Sequence, residues 1–372
     1  MPFFLRGGWP AIISSLVCIV AGLLIGFIIL LCINSAGAVE AMGCILKNFA
    51  YFHKPEKAIF YFGSTLVKTV PLLMCGLGVL FAYKCGLFNI GVAGQYVAGV
   101  AASLWCALGW GLPWYLCILA AMIVAAVCSA IIGALKAYRN VNEVISGIML
   151  NWIILYLTNF LLTKVKDPNS QFTMFVADTA PQAKIPSLFL SKVFSDNPFV
   201  CMSIPLAGLA VVAVWLILKK TRLGYELRAT GFNRDAAFYC GMKEKRNLVM
   251  TMIISGALAG LGAALYYLTD IEQWAVSTSA VPGMGFDGIA AAFLGGMNPV
   301  GTVFASYFIK HITIGGLYID KSVYSPETAN VITSVIVYFC AFAQFFRRVA
   351  IRSYQKKLLQ KKQEEKTGGE TA

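Results

Sequence analysis

The chain has 372 residues, a mean hydropathy of +0.74, 59% AVILMFWYC and only 13% charged residues. Soluble domains carry about 25% charge, so a surface wholly exposed to water is excluded. The net charge of +13 does not signal nucleic acid, because the basic residues sit in loops beside apolar stretches, as the positive-inside bias requires.

The apolar residues fall in blocks of about 18–23, the length that crosses a ~30 Å hydrocarbon core. In chain order they predict spans at 11–33, 60–82, 86–108, 112–134, 143–162, 199–218, 247–269, 286–297, 299–316 and 328–346. The expected fold is an all-α integral membrane protein of about ten helices, with 1–346 as one transmembrane domain. The first block is followed by Ala36-Gly37-Ala38, which resembles a signal-peptide cleavage site. Its apolar run exceeds a usual signal core and only Arg6 precedes it, so it reads as an uncleaved helix. The eighth block is short and runs into Gly-Gly-Met-Asn-Pro, the pattern of a half-helix or a broken one.

Both termini are expected in the cytoplasm. That orientation puts Arg6, Lys84, Lys136, Arg139, eight basic residues in 219–246 and eight in 347–366 inside, 20 of the 30 Lys and Arg. The loop 163–198 then faces outward. It holds Pro168, Pro181, Pro186 and Pro198, which predicts an exposed segment able to meet an external partner. The basic tail 347–372 suits either anionic lipid or a docking partner. The eleven cysteines show no C-x-x-C spacing and read as small buried hydrophobes.

Gly76 to Tyr83 and Gly260 to Tyr267 share the pattern G-L-G-x-x-x-x-Y, and each is followed by a Gly-led helix start at Gly86 and Gly285. In the predicted topology the two copies run in opposite directions, which points to an inverted repeat with a pathway between the halves. The cytoplasmic loop 219–246 contains a short capped helix. Asn233 is a favoured N-cap, Asp235 sits in the first turn, and Gly241 suits a left-handed C-terminal position. Such a helix is marginal alone in water; a place on the membrane surface and one against a partner fit the spacing equally.

Several blocks carry a family resemblance: Gly86-Leu87-Phe88-Asn89-Ile90-Gly91 to Gln95, Val141-Asn142-Glu143-Val144-Ile145-Ser146, Gly224 to Asn233, and Gly285-Phe286-Asp287-Gly288-Ile289-Ala290. Their order and spacing resemble the permease subunits of bacterial nucleoside importers of the ATP-binding-cassette class, grouped with ribose- and galactose-type sugar permeases. The resemblance runs from about residue 60 to residue 346. It implies a bacterial inner-membrane location, two permease subunits (identical or paralogous), two cytoplasmic ATPase subunits and an external substrate-binding protein. It also implies that the helix after Asn233 couples to the ATPase, with Gly231, Phe232, Asn233, Asp235, Ala237 and Gly241 at the matching positions. The family commonly carries Glu where this chain has Ala93, which puts a charge-based role of that block in doubt.

Asn89, Gln95 and Asp287 are polar groups within spans, and they serve either as pathway lining or as interhelical hydrogen-bond partners. Asn142 and Glu143 open the fifth span, with Asn151 and Asn159 further along. Phe88 and Phe286 offer aromatic surface to a base or to the core. Lys68 is expected to snorkel outward and Pro71 to kink the second span. His53 and His311 lie far apart with no acidic cluster, so neither a metal nor a cofactor is expected. No G-x-x-x-x-G-K-[ST] loop is present, so no ATP hydrolysis or other catalysis is assigned. The competing cargoes are a simple sugar or a flavin-like solute. The competing classes are an ion-coupled secondary transporter and a membrane-embedded enzyme.

Overall fold

The computed structural model describes residues 9–342, apart from Lys321 and Pro326, and Arg352. The described residues contain fifteen α-helices, α1 to α15, and no β-strand beyond two isolated bridges. Seven are long and apolar enough to cross a membrane: α1 (Trp9–Ile33), α3 (Pro55–Lys84), α4 (Val92–Leu104) with its wider last turn to Gly109, α5 (Trp114–Arg139), α6 (Glu143–Leu162), α9 (Ser203–Lys220) and α12 (Glu244–Tyr267). The protein is thus an all-helical, multi-pass membrane protein. The three remaining expected spans are shorter helices of 11, 17 and 15 residues: α13 (Met284–Leu294), α14 (Pro299–Gly315) and α15 (Glu327–Ala341).

The short span is a half-length helix. After α13 the chain turns through Gly296 and Met297, both at positive φ, and Asn298 caps α14 by accepting from the Val300 N–H at 3.1 Å. Pro299 follows at the first helical position, where its missing N–H costs nothing. The expected kink at Pro71 does not divide α3, which remains one helix of 30 residues.

Helices α3 and α12 form the centre, and both are buried along most of their apolar length. Their crossing depends on glycine. A Cβ at Gly78 would come within 2.8 Å of the Ser255 carbonyl oxygen, and one at Gly262 within 2.6 Å of the Met74 Cβ and 3.4 Å of the Pro71 carbonyl oxygen. The same sequence offset separates Gly78 from Gly262 and Pro71 from Ser255. These contacts advance along one helix as they retreat along the other, so the two run antiparallel. Around them α4 lies on α12 and α13 on α3, α5 packs on α12 and α14 on α3, and α6 covers α4 as α15 covers α13. The outward faces of α5, α6 and α9 are apolar yet exposed, at Ile123, Val127, Met149, Trp152, Leu209 and Val212 among others, as lipid-facing surfaces must be.

Two regions add to the predicted spans. Residues 38–47 form an amphipathic helix, α2 (Ala38–Lys47), whose Ala41, Cys44 and Ile45 are buried. It is pinned to α14, where His311 Nε2 bonds the Leu46 carbonyl oxygen at 2.9 Å. The loop 163–198, which includes the one-turn helices α7 (Val176–Thr179) and α8 (Leu190–Val193), is a packed cap rather than a free segment. Its backbone zips to residues 268–281 through Thr173 N–H to Trp274 O and Val276 N–H to Gln171 O, both 2.9 Å. The Asp270 carboxylate accepts from the N–H groups of Val176 and Ala177 at 2.8 and 2.5 Å. Proline and mixed charge reported missing regular structure there, and not missing packing.

Of the cysteines described, seven are buried, Cys128 is half-buried, and Cys32 and Cys240 are exposed against the reading of all as core. Cys340 and the tail 347–372, apart from Arg352, lie outside the residues whose side chains are described.

Candidate functional site

The candidate segments meet where the break between α3 and α4 touches the loop between α9 and α12. That loop folds as two helices, α10 (Arg222–Phe232) and α11 (Arg234–Tyr239). Thr221 caps α10 by accepting from Gly224 N–H at 3.0 Å, and Asn233 caps α11 by accepting from Ala236 N–H at 3.0 Å. Asp235 lies in the first turn of α11, where the helix dipole favours a carboxylate. Gly241 ends the segment at φ +77°, a conformation that costs an L side chain energy.

The six coupling positions expected from sequence divide into two groups. Phe232, Asn233, Asp235 and Gly241 are exposed. Ala237 is buried and Gly231 half-buried, so these two face the bundle. A Cβ at Gly231 would collide with the backbone of Cys85 and Gly86, and Gly86 itself has φ +80°. A glycine-on-glycine contact therefore joins the end of α10 to the chain leaving α3. A polar contact reinforces it, since Asn247 Nδ2 of α12 donates to Thr230 Oγ1 at 2.9 Å, both residues buried. Glu226 is paired with Arg222 at 3.0 Å and with Arg246 at 3.1 Å.

Three aromatic rings dominate the free face. Phe232 is 95% exposed, Tyr239 87% and Phe238 63%. They form an exposed aromatic patch on a short, otherwise polar segment. Sequence reasoning singled out Phe232 and missed Phe238 and Tyr239. Their signal was available, since two adjacent aromatics on a two-turn helix with one buried face cannot both turn inward.

At the break, residues 85–91 leave the helical path and are held by side-chain amides. Asn89 Nδ2 donates to Gln95 Oε1 and to Ser255 Oγ, both at 2.8 Å, and Gln95 Nε2 returns a bond to Asn89 Oδ1 at 3.1 Å. The Ser255 hydroxyl donates to the Gly78 carbonyl at 2.7 Å. Asn89 is 1% exposed and Gln95 fully buried. From α6, Asn151 Oδ1 accepts from Gly94 N–H at 2.8 Å and its Nδ2 donates to the Ile90 carbonyl at 3.2 Å. These amides tie α3, α4, α6 and α12 together and are spent on protein partners.

The other candidates lie apart from this network. Asn142 is the N-cap of α6, accepting from Val144 N–H at 2.8 Å, and the adjacent Glu143 pairs with Lys136 at 2.8 Å. Phe88 is half-buried with its ring 6.5 Å from that of Phe293. Asp287 is half-buried in the first turn of α13, and Phe286 beside it is exposed. Asn159 bridges to the cap, accepting from Trp274 Nε1 at 2.9 Å and donating to the Thr278 carbonyl at 2.7 Å. Ala93 is 1% exposed and packs on Gly285, where a Cβ would come within 2.6 Å of its own Cβ. No group of His, Cys, Asp or Glu able to hold a metal occurs among the described residues.

No solved structure matches the chain. It is 38% identical over 296 residues to the guanosine ABC transporter permease protein NupP of Bacillus subtilis, covering 78% of this chain and 84% of that one. It is 35% identical over 290 residues to the nucleoside ABC transporter permease protein NupB of Lactococcus lactis, covering 75% and 78%. To the glucose ABC transporter permease protein TsgB13 of Haloferax volcanii it is 29% identical over 359 residues, covering 92% and 90%. The profile of the family described as branched-chain amino acid transport system / permease component matches residues 61–341. A chain of apolar spans, matched over most of its length by that profile, belongs to this family of permease components: a multi-pass protein of the bacterial cytoplasmic membrane and not an enzyme.

Proposed function

We propose that the chain is the channel-forming subunit of an ATP-driven importer for nucleosides, moved by separate ATPase subunits that dock on α10 and α11. The observation that carries the coupling role is the two-sided build of this segment. Its outer face offers Phe232, Phe238 and Tyr239 to a partner, while Gly231 sits against Gly86 at the helix break. A displacement of the docked helix is thereby handed to the α3–α4 junction and its amide network as a rigid-body push. The nucleoside cargo rests on the two bacterial relatives whose printed names specify guanosine and nucleosides.

In this reading the bundle makes ten crossings, α13 and α14 forming a pair in which one helix is half-length. Both termini and the 219–246 loop face the cytoplasm, where the positive-inside bias places them. The reciprocal, antiparallel crossing of α3 and α12 supports an inverted repeat of α3–α6 and α12–α15. A second permease subunit, identical or paralogous, and an external binding protein complete the assembly, the latter meeting the cap 163–198. The archaeal relative named for glucose supports a second reading, in which a simple sugar is the cargo.

The test is uptake in proteoliposomes holding this chain, its partner permease, the ATPase and the binding protein. Nucleoside accumulation that requires ATP and survives an ionophore is the expected result. Accumulation that needs no ATPase overturns the proposal, and glucose displacing nucleoside from transport favours the sugar.

A further inference from the structure

Helix α1 ends at Ile33, and residues 34–37 alone separate it from α2. A short 3-10 turn, Asn48–Tyr51, then folds the chain back toward the start of α3 at Pro55. Two bonds to α14 fix that turn. Asn48, at φ +46°, donates from Nδ2 to the His311 carbonyl at 3.1 Å, and His311 Nε2 holds the Leu46 carbonyl at 2.9 Å. Between α2, the turn and the start of α3 lies an open groove of about 860 Å³, within the ~300–1,000 Å³ of small-ligand sites.

The walls of the groove carry charge of one dominant sign. Lys47 lines it from α2, and Lys54 and Lys57 from the start of α3, against a single carboxylate, Glu40. Among the described residues the ion pairs are Lys136–Glu143, Arg222–Glu226 and Arg246–Glu226, so none of the three lysines is neutralised by a protein carboxylate. Tyr51 and His53 add side chains able to hydrogen-bond. A cleft lined by one sign of charge focuses its field on a counter-ion, here an anion. Lysines that only snorkel reach water separately; the folded-back turn brings three of them, from two helices, around one hollow.

The surroundings put the groove at the level of lipid headgroups. Helix α2 turns Ala41, Cys44 and Ile45 inward and leaves Val39 and Leu46 exposed, as an amphipathic helix in the membrane interface does. Phe52 stacks on Tyr61 with ring centroids 4.3 Å apart and meets Tyr318 edge-on at 5.1 Å, and clustered aromatics of this kind belong to the interface. Ile33, at the end of α1, and Ile59, two residues beyond Lys57, are exposed apolar side chains. The groove lies on the cap side of the bundle. Asn197 of the cap donates to the Phe60 carbonyl and to Ser64 Oγ near the start of α3, both at 2.8 Å, whereas Gly231 meets the chain leaving the other end of α3.

We propose that this groove binds the phosphate headgroup of an anionic phospholipid from the leaflet on the cap side, with Lys47, Lys54 and Lys57 holding the phosphate and Val39 and Leu46 lying against the acyl chains. A lipid suits the groove better than the acidic surface of a protein, because the apolar side chains flanking the lysines need a cover that water does not give. The site depends on the membrane location of the chain and not on its cargo.

Native mass spectrometry of the detergent-purified full chain, titrated with phosphatidylglycerol, phosphatidylcholine or inorganic phosphate, provides the test. Phosphatidylglycerol should bind at least about tenfold more tightly than phosphatidylcholine. Lys47→Gln, Lys54→Gln and Lys57→Gln combined should abolish that preference. An equal loss of charge on the cap, Lys164→Gln with Lys166→Gln and Lys192→Gln, should change the affinity less than about twofold. Millimolar inorganic phosphate should not displace the lipid, since the acyl chains also hold it. No loss in the groove variant, or equal loss in both, overturns the site; displacement by phosphate overturns a lipid occupant in favour of a free anion. Should the triple variant fail to purify folded, Lys57→Glu alone is expected to weaken phosphatidylglycerol about tenfold, and an unchanged affinity counts against the groove. Intact lipid preference together with lost association of the binding protein would assign the groove to protein docking and overturn the proposal.

Discussion

Asn89 shows what a polar residue in a membrane bundle does when protein groups surround it. Its amide meets Gln95 twice and Ser255 once, and Ser255 passes the chain on to the Gly78 carbonyl. Truncation to Ala leaves the buried Gln95 amide without its partner, at a cost of about 1–3 kcal/mol for an unsatisfied group. Asn89→Ala should therefore lower the thermal midpoint of the detergent-solubilised protein, and nucleoside affinity of the permease should change less than its stability. A large loss of affinity with unchanged stability would instead make Asn89 a pathway residue. Asn233 is a local case, bonding a backbone N–H three residues on. Asn233→Ala should cost α11 roughly 1 kcal/mol and Asn233→Asp very little, because both Asn and Asp cap well. Coupled ATP hydrolysis in the two variants provides the measurement. The N-cap was legible in the sequence because cap and helix are contiguous. The partner of Asn89 was not, since Ser255 lies on a helix whose crossing point no local pattern reveals.

At the scale of elements, the proposed coupling role assigns docking to the exposed face of α10 and α11 and transmission to the face packed on the helix break. Phe232→Ala with Tyr239→Ala strips the exposed aromatic face and should weaken ATPase co-purification by about tenfold or more, as loss of interface hot spots does. Gly231→Val acts on the opposite side, driving a side chain into the Cys85–Gly86 backbone. It should leave more ATPase bound than the aromatic double variant while reducing uptake as strongly; equal loss of both would deny any division of labour. The capped helix after Asn233 was foreseen, whereas α10 as a separate helix was not. Its helical face includes Gly224, a poor helix former, which is buried where a Cβ would meet the Ile217 carbonyl. Close packing against α9 outweighs local propensity there. The amphipathic α2 went unassigned for a related reason: ten residues between two spans carry too short a pattern to stand alone, and α14 supplies the surface they pack on.

For the whole molecule, the contacts of Gly78 and Gly262 brace the central α3–α12 crossing from both helices. Gly78→Leu and Gly262→Leu should each reduce the yield of folded protein, and to a similar degree, as overpacking of a membrane helix crossing separates the backbones. Size-exclusion profiles after solubilisation would show it, and a harmless substitution at one position would break the equivalence. The cap depends on Asp270, whose carboxylate accepts two N–H groups. Asp270→Ala should loosen residues 175–180 and raise their protease sensitivity while leaving the spans intact.

Length and spacing of apolar blocks, the placement of basic loops, the Asn233 cap and the ordered family blocks were properties of the chain alone. Each depends on neighbours in sequence or on transfer out of water, which are decided residue by residue. Only the tertiary structure decided which polar groups are consumed by partners and which remain available. It closed Asn89 and Gln95 on each other and folded the proline-rich loop into a cap. Those outcomes follow from helix crossings, where glycine lets backbones meet, and a crossing joins residues that the sequence keeps far apart.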